Sequence, residues 1–423
     1  MIKPANNLRR TTLISLIFFL FSYSLHAQWT VRALGMGRAY TAVARGVHSV
    51  NWNPANLGLP DNPPFTFSII SASAAVSNNS FTKGDVYQYE GKYWDQNMKN
   101  DILSKIPDDG LSLNAAASIR AFSFSIKNFA IAFDGDGDGY ARLDKTPFEL
   151  LLNGNQMGQT YMFNDVDGRG AGLASVSFSW GQPVEVDFAE AFSWGSTLRF
   201  SYGIYKARLE NVSSSLVVDD YGMDIRSEYM AQYAKGGFGW ALDIGAAMQK
   251  GDKWTYGFGL MNLIGTIPWK KDAKMVFGSV EGASISIEDL AADDKEERGV
   301  VQDTSWTNDI TGFAEKMPTS MHLGAAYREG DYLISMDYIQ GFRRGIYVST
   351  APNVAFGTEW VGVRWLPLRM GLSLGGKLGV ATSCGFGLRL GAFSLDLGWM
   401  SRGFLFPNTS KGGVLGLETG LNL

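Results

Sequence analysis

The chain has 423 residues, a formal net charge of −4, 50 glycines and a single cysteine, Cys384. The near-balanced charge gives no reason to expect nucleic acid or an anionic surface as partner, and one cysteine excludes an internal disulfide framework. Glycine well above the usual ~7%, together with 13% aromatic residues, predicts many strands joined by tight turns, and barrels run to this length as one domain.

At the start, Lys3, Arg9 and Arg10 precede an apolar run from Thr11 to Leu25, and "LHAQ" places the small Ala27 at a cut site. This is the pattern of a secretory signal peptide over residues 1–27. The run is shorter than the ~20 residues a spanning helix needs. With no cysteine near the cut, a lipoprotein anchor is excluded. No later run is long enough to cross a bilayer as a helix. The exported chain is therefore either soluble or a closed β-barrel, the other spanning form that pairs every backbone group.

Residues 28–62 come next and contain "LGMGRAYTAVARGVHSVNWNPANLG" at 34–58. The stretch is too apolar for a linker and too broken by glycine for a long helix. Asn53 is placed to cap a short helix with Pro54 at its first position, and Gly58 to end it in a left-handed turn. If the segment is buried, Arg38 and Arg45 need carboxylate partners; Asp243, Asp337, Asp396 and Glu418 are the candidates.

From residue 63 to 423 the pattern is strand. The first candidate is Phe65–Ala74, and "AFSFSIKNFAIAFD" reads as a hairpin turning at Lys127-Asn128. "DGDGDGYARLDK" then places Asp134, Asp136 and Asp138 at alternate positions, as an EF-hand loop begins, but Lys145 stands where the bidentate Glu is required. No metal is expected there, and a solvated rim turn is the simple reading. Further on, Leu198, Phe200, Tyr202 and Ile204 alternate with Arg199, Ser201 and Gly203. Trp240, Leu242, Ile244, Ala246 and Met248 alternate with Ala241, Asp243, Gly245 and Ala247. Such alternation means one apolar and one polar face.

Three features favour a membrane barrel over a soluble sandwich. Aromatics such as Trp254, Tyr332 and Trp399 sit near strand ends, as interfacial girdles do. The opposite face combines Gly and Ala with isolated charges (Arg199, Asp243, Arg328, Asp337, Arg389, Asp396), which suits a crowded lumen. Connections alternate between short ("QKGDK", "REGD", "WLPLR", "GA") and long (265–318, 340–355, 401–412). About fourteen strands of ~10 residues are expected, in an all-β transmembrane antiparallel barrel ending in "LGLETGLNL". The charged run at 288–299 reads as a solvated external segment. Phe404, Leu405 and Phe406 fall in a predicted external loop, either as loop core or as an apolar landing site.

A lumen of that width needs a plug or is an open pore. Here "GMGRAYTAVARGVHSVNWNPANL" resembles the N-terminal hatch of the FadL family of outer-membrane transporters for fatty acids and other hydrophobic compounds. Gly35, Gly37, Arg38, Ala39 and Tyr40, with Asn53-Pro54-Ala55, carry the likeness. It is equally close to a PorV-like branch serving type IX protein secretion, which "DIGAAMQKGDKWTYGFGLMNLIGTIPW" also resembles. The resemblance implies a fourteen-stranded barrel in the outer membrane, plugged from the periplasmic side by residues 28–62. Its ligands would be hydrophobic small molecules taken from outside, and its surroundings outer-membrane lipid. The PorV-like alternative implies an exported protein partner instead. The family's inward kink of the third strand would fall on Asp134, Asp136 and Asp138. A generic structural plug remains the alternative for the hatch residues. Beyond the leader only His48 and His322 remain, and no P-loop, metal-spaced cluster or dinucleotide fingerprint occurs. Neither catalysis nor a cofactor is expected.

Overall fold

Small and polar residues alternate with apolar ones along most of the chain, and period two sorts the wall into an inner and an outer face. A computed structural model describes residues 30–285, 301–343 and 348–423. The predicted signal peptide (1–27) and the charged run at 288–299 lie outside the described residues.

Among the described residues nineteen strands form one sheet. They are β1 (Phe65–Asn78), β2 (Leu111–Ile126), β3 (Phe129–Leu143), β4 (Thr160–Met162), β5 (Asp167–Val184), β6 (Ala191–Asp219) and β7 (Gly222–Lys235). Next come β8 (Phe238–Lys250), β9 (Trp254–Trp269), β10 (Lys271–Ile285), β11 (Val301–Asp309), β12 (Phe313–Lys316) and β13 (Ser320–Glu329). The last are β14 (Tyr332–Gly341), β15 (Asn353–Trp360), β16 (Leu368–Gly375), β17 (Gly379–Leu390), β18 (Phe393–Arg402) and β19 (Gly412–Asn422).

Fourteen of them close a ring. Its order is β1, β2, β3, β5, β6, β8, β9 and β13 through β19, each antiparallel to the next, and β19 pairs back onto β1. Closure leaves no open edge in the ring, the condition for crossing a bilayer with strands. The first and last strands meet at the seam, where Leu423 N donates to Phe65 O at 3.0 Å.

The predicted faces hold. Trp240, Phe200, Ile334, Met336, Trp399 and Leu415 lie exposed on the outside, while Arg199, Asp243, Asp337, Glu359, Asp396 and Glu418 are buried inside. Arg328 differs: it is exposed at the short-turn rim, beyond the packed interior. The aromatic girdle is visible at the same rim, where Trp254 stacks on Tyr256 with centroids 5.8 Å apart.

Short turns gather at one rim and long excursions at the other. The long connection after β1 holds helices Lys83–Tyr89 and Gln96–Lys105, the first opened by a capping box between Thr82 and Asp85. The span 265–318, expected as one loop, instead contributes the end of β9 and the strands β10, β11 and β12. There β6, with 29 residues, runs past the ring and pairs with β7, which pairs with β10, itself paired with β11. Mostly polar side chains, exposed from residue 302 to 309 of β11, hid this extension from the alternation test.

The expected break at Asp134, Asp136 and Asp138 is not present. β3 pairs without interruption from Asp134 to Arg142 with β5, and from Asp134 to Leu143 with β2. The aspartates keep the inward phase and the glycines between them take the outward one, so the pleat survives. The irregularity falls on β2 instead, between Arg120 and Phe124, where Phe122 has φ 48° and the Ser123 hydroxyl accepts from Phe133 N at 2.9 Å.

Candidate functional site: the lumen cavity and the segment beneath it

Residues 30–62 run through the ring at the short-turn end and touch strands on all sides. Three short helices, Val31–Gly35, Gly46–Asn51 and Pro54–Gly58, are tied by tight turns. Val31, Leu34, Met36, Tyr40, Val47, Val50 and Leu57 are buried almost completely. The backbone of such a segment must find partners inside the lumen, and inward carboxylates and hydroxyls provide them. Asp337 Oδ2 accepts from Tyr40 N at 3.0 Å and Thr41 N at 2.8 Å, and Ser383 Oγ accepts from Gly37 N at 2.9 Å.

The motif residues each have a physical reason. Gly37 has φ 65°, and an added Cβ would lie 2.8 Å from both Leu372 N and Phe356 O. Gly35 sits with its Cβ position 3.2 Å from the Gly385 backbone. Arg38 also adopts positive φ, at 77°, and reaches the cavity above. Burial lowers its pKa to about 10, with Asp337 opposing the shift. Tyr40 packs edge-on against Trp52 with centroids 5.6 Å apart, and the Arg32 guanidinium lies 5.7 Å from its ring centroid. Asn53 caps the Pro54 helix as predicted: its Oδ1 accepts from Ala55 N at 3.2 Å, while Nδ2 donates to Ala246 O at 2.9 Å. The left-handed turn expected at Gly58 does not occur; a Cβ there would strike Ser193 Oγ at 2.1 Å, so close packing is what demands glycine.

The wall answers with glycines of its own. A Cβ on Gly371 would meet Gly37 N at 2.1 Å, and one on Gly195 would meet Ala55 N at 2.5 Å. Gly245, Gly257, Gly357 and Gly398 face the segment in the same way. Backbone therefore lies on backbone around the ring, which explains the small inward residues.

Buried ion pairs complete the contact. Glu359 accepts from Arg32 Nε at 2.9 Å and from Arg369 Nε at 2.6 Å, and Arg369 also donates to Asp396 Oδ1 at 2.6 Å. Arg199 pairs with Asp243 at 2.9 Å, and Arg120 with Asp134 at 2.8 Å. His48 Nε2 lies 3.3 Å from Glu418; burial, with the Arg120 charge nearby, lowers its pKa to about 3 and keeps it neutral. Of the four anticipated carboxylates, Asp337 faces Arg38, whereas Arg45 turns to Asp61 at 2.9 Å within its own segment. Arg32, Arg120, Glu359 and Arg369 were missed; the inward phase of the last three was the available signal.

Above this contact lies a cavity of about 160 Å³. Its floor includes Arg38, Asn51 and Trp52, and its walls Leu173, Met261, Ile267, Trp269, Met317 and Ile339. Trp269 is 1% exposed and escaped the sequence reading because the Asn262 bulge in β9, with φ 49°, interrupts the alternation before it. Arg199, Lys206, Glu315 and Lys377 add charge to the lining. At the outer rim Phe404 and Phe406 are 64% and 74% exposed, so neither is loop core; Leu405 between them is half-buried. Their loop is fixed by Ser401 Oγ, which donates to Phe404 O at 2.7 Å. Among the described residues no group of three metal-ligating side chains converges.

The closed fourteen-strand antiparallel barrel has counterparts of the same fold among solved structures. The chain overlays on the P. putida toluene transporter TodX with TM-score 0.53 and 10% identity, covering 93% of this chain and 98% of that one. The Ralstonia pickettii toluene transporter TbuX gives TM-score 0.51 and 11% identity, over 93% and 98%. A Pseudomonas aeruginosa FadL homologue gives 0.50 and 12%, over 95% and 100%. At these identities the shared property is the fold. The chain belongs to DUF5723, a family of unknown function, which it matches over residues 58–234 and 219–398. No curated protein matches it.

Proposed function

We propose that the protein is an outer-membrane channel for the passive uptake of hydrophobic small molecules, exported by its leader and closed on the short-turn side by residues 28–62 acting as a hatch. The cavity carries this reading: apolar side chains from β5, β9 and β14 line a space above a floor that includes Trp52, as pockets for apolar ligands are built. Phe404, Leu405 and Phe406 serve as the external landing site, from which a ligand moves down into the lumen. No energy source or catalysis is assigned. Lipid surrounds the outward face. Deleting residues 28–58 tests the hatch: single-channel conductance in planar bilayers rises if the segment closes the lumen and stays unchanged if it does not.

A second reading, a scaffold that holds an exported protein partner, is favoured by the buried ion pairs and close-packed glycines, which suit a permanently shut lumen. It predicts crosslinking to a secreted protein and no binding of hydrophobic probes.

A further inference from the structure

Beyond the ring, the extension carried by β6 ends in an open edge. β11 pairs with β10 in unbroken register, from Val301 opposite Gly282 to Asp309 opposite Lys274. Among the described residues no other backbone hydrogen bond reaches 302–309, and the side chains there are exposed. Ile310 N donates to Ala273 O at 2.9 Å. Backbone direction alternates along an antiparallel ladder, so Thr304, Trp306 and Asn308 turn their amides to β10. Asp303, Ser305, Thr307 and Asp309 turn theirs outward. Such a row is a template for a further strand, and sheets usually blunt it with Pro, Lys, a bulge or a short length. β11 has nine residues, no Pro, no Lys and no bulge.

The side chains along the edge define the strand that fits. Met230 of β7 stands opposite Phe277 of β10, and Phe277 opposite Trp306 of β11. This apolar row stops at the edge, where Phe277 and Trp306 stack at 12° with centroids 5.6 Å apart and Trp306 is 48% exposed. An added strand continues the row with an aromatic or aliphatic residue. Three positions to either side of Trp306, on the other face of the sheet, stand Asp303 and Asp309. Opposite charges across a strand pair stabilise it and like charges oppose it. A second copy of β11 aligned on Trp306 would set Asp303 against Asp309. The edge therefore disfavours its own kind and favours a strand with basic residues at those two places.

We propose that β11 is a docking edge for an extended polypeptide segment, added antiparallel, with an apolar residue opposite Trp306 and Lys or Arg opposite Asp303 and Asp309. The outward backbone groups supply affinity and the side chains supply the choice of partner. The edge lies at the long-connection rim, apart from the lumen, so the proposal holds under either reading of the lumen.

The probe is a dye-labelled nine-residue peptide of Thr and Val, with Phe at its centre and Lys three positions to either side. Its binding to the full protein in nanodiscs of neutral lipid is read by fluorescence anisotropy, with empty nanodiscs as reference. The native protein binds it about tenfold more tightly than the same peptide with Glu in place of both Lys. Asp303→Lys/Asp309→Lys reverses that preference. Ser305→Pro removes an outward N–H at a place where an edge strand accepts Pro, and weakens the Lys peptide about tenfold. Hydrogen exchange of the β10 amides shows whether the sheet is intact in each variant. If the native protein binds neither peptide, or both equally, the proposal is overturned. It is overturned too if Ser305→Pro, with β10 protection intact, binds the Lys peptide as the native protein does. Dimerisation of the native protein that Ser305→Pro abolishes would assign the edge to a second copy instead.

Discussion

Glu359 is the joint between the N-terminal segment and the wall, and its removal has a calculable effect. It is 3% exposed and accepts from Arg32 on the segment and from Arg369 on β16. Gln preserves the shape and removes the charge. Breaking one partner of a buried ion pair costs ~3–5 kcal/mol. Arg369 retains Asp396, and the Arg32 side chain is 24% exposed, so the lower end applies, about 3 kcal/mol. That corresponds to about a hundredfold more frequent unseating of the segment. Hydrogen exchange of residues 30–44 reads this directly: protection falls about a hundredfold in Glu359→Gln, while amides of β17 and β18 are unaffected. The double variant Arg32→Gln/Glu359→Gln loses less than the sum of the singles, because the two charges act as one pair. Unchanged protection at residues 30–44 in a folded Glu359→Gln barrel would refute the claim that this pair seats the segment.

Three further outcomes follow from the same contacts. Gly371→Val drives side-chain atoms into the Gly37 backbone and yields a barrel with a displaced segment and raised conductance; Gly139→Ala, whose Cβ meets nothing within 4 Å, leaves conductance and thermal stability unchanged. His48 is neutral when seated, with a pKa of about 3 against 6.5 for the unseated side chain. Its protonation therefore favours the unseated state as pH falls below 6.5, at up to ~1.4 kcal/mol per pH unit; protection of residues 44–52 declines from pH 6.5 towards 3.5, and His48→Gln flattens that slope. Replacing Phe404, Leu405 and Phe406 together by Ser weakens binding of a fluorescent fatty-acid analogue by roughly thirty- to a thousandfold, for ~2–4 kcal/mol of apolar contact, and because both phenylalanines are exposed, the thermal midpoint does not fall.

The wall was legible because its code is local. Period two in "WALDIGAAM" and its neighbours shows which side chains face in, and the split between short and long connections gives the order of the ring. The Asn53-Pro54 cap was legible for the same reason, since it involves adjacent residues. What failed was long-range or irregular. The "DGDGDG" run looked like a break because Asp and Gly disfavour strands in general, yet the inward Asp134 meets Arg120 and the outward glycines leave the pairing intact. Gly58 was assigned a backbone role when its cause is Ser193, 135 positions further along the chain. The partners of Glu359 depend on strand register and on the path of the segment through the ring, and no window of sequence contains them. Trp269 was hidden by a bulge, a device that alternation cannot anticipate.

The most direct test of the uptake account is the rate at which a radiolabelled hydrophobe such as toluene enters cells that carry the native protein, compared with cells that lack it and with cells carrying a variant in which Met261, Ile267 and Ile339 of the cavity wall are replaced by Asn. The account predicts faster entry with the native protein, and a fall to the background rate when the cavity wall is made polar in a barrel that still folds. Equal rates in all three strains, at matched levels of the protein in the outer membrane, would contradict it.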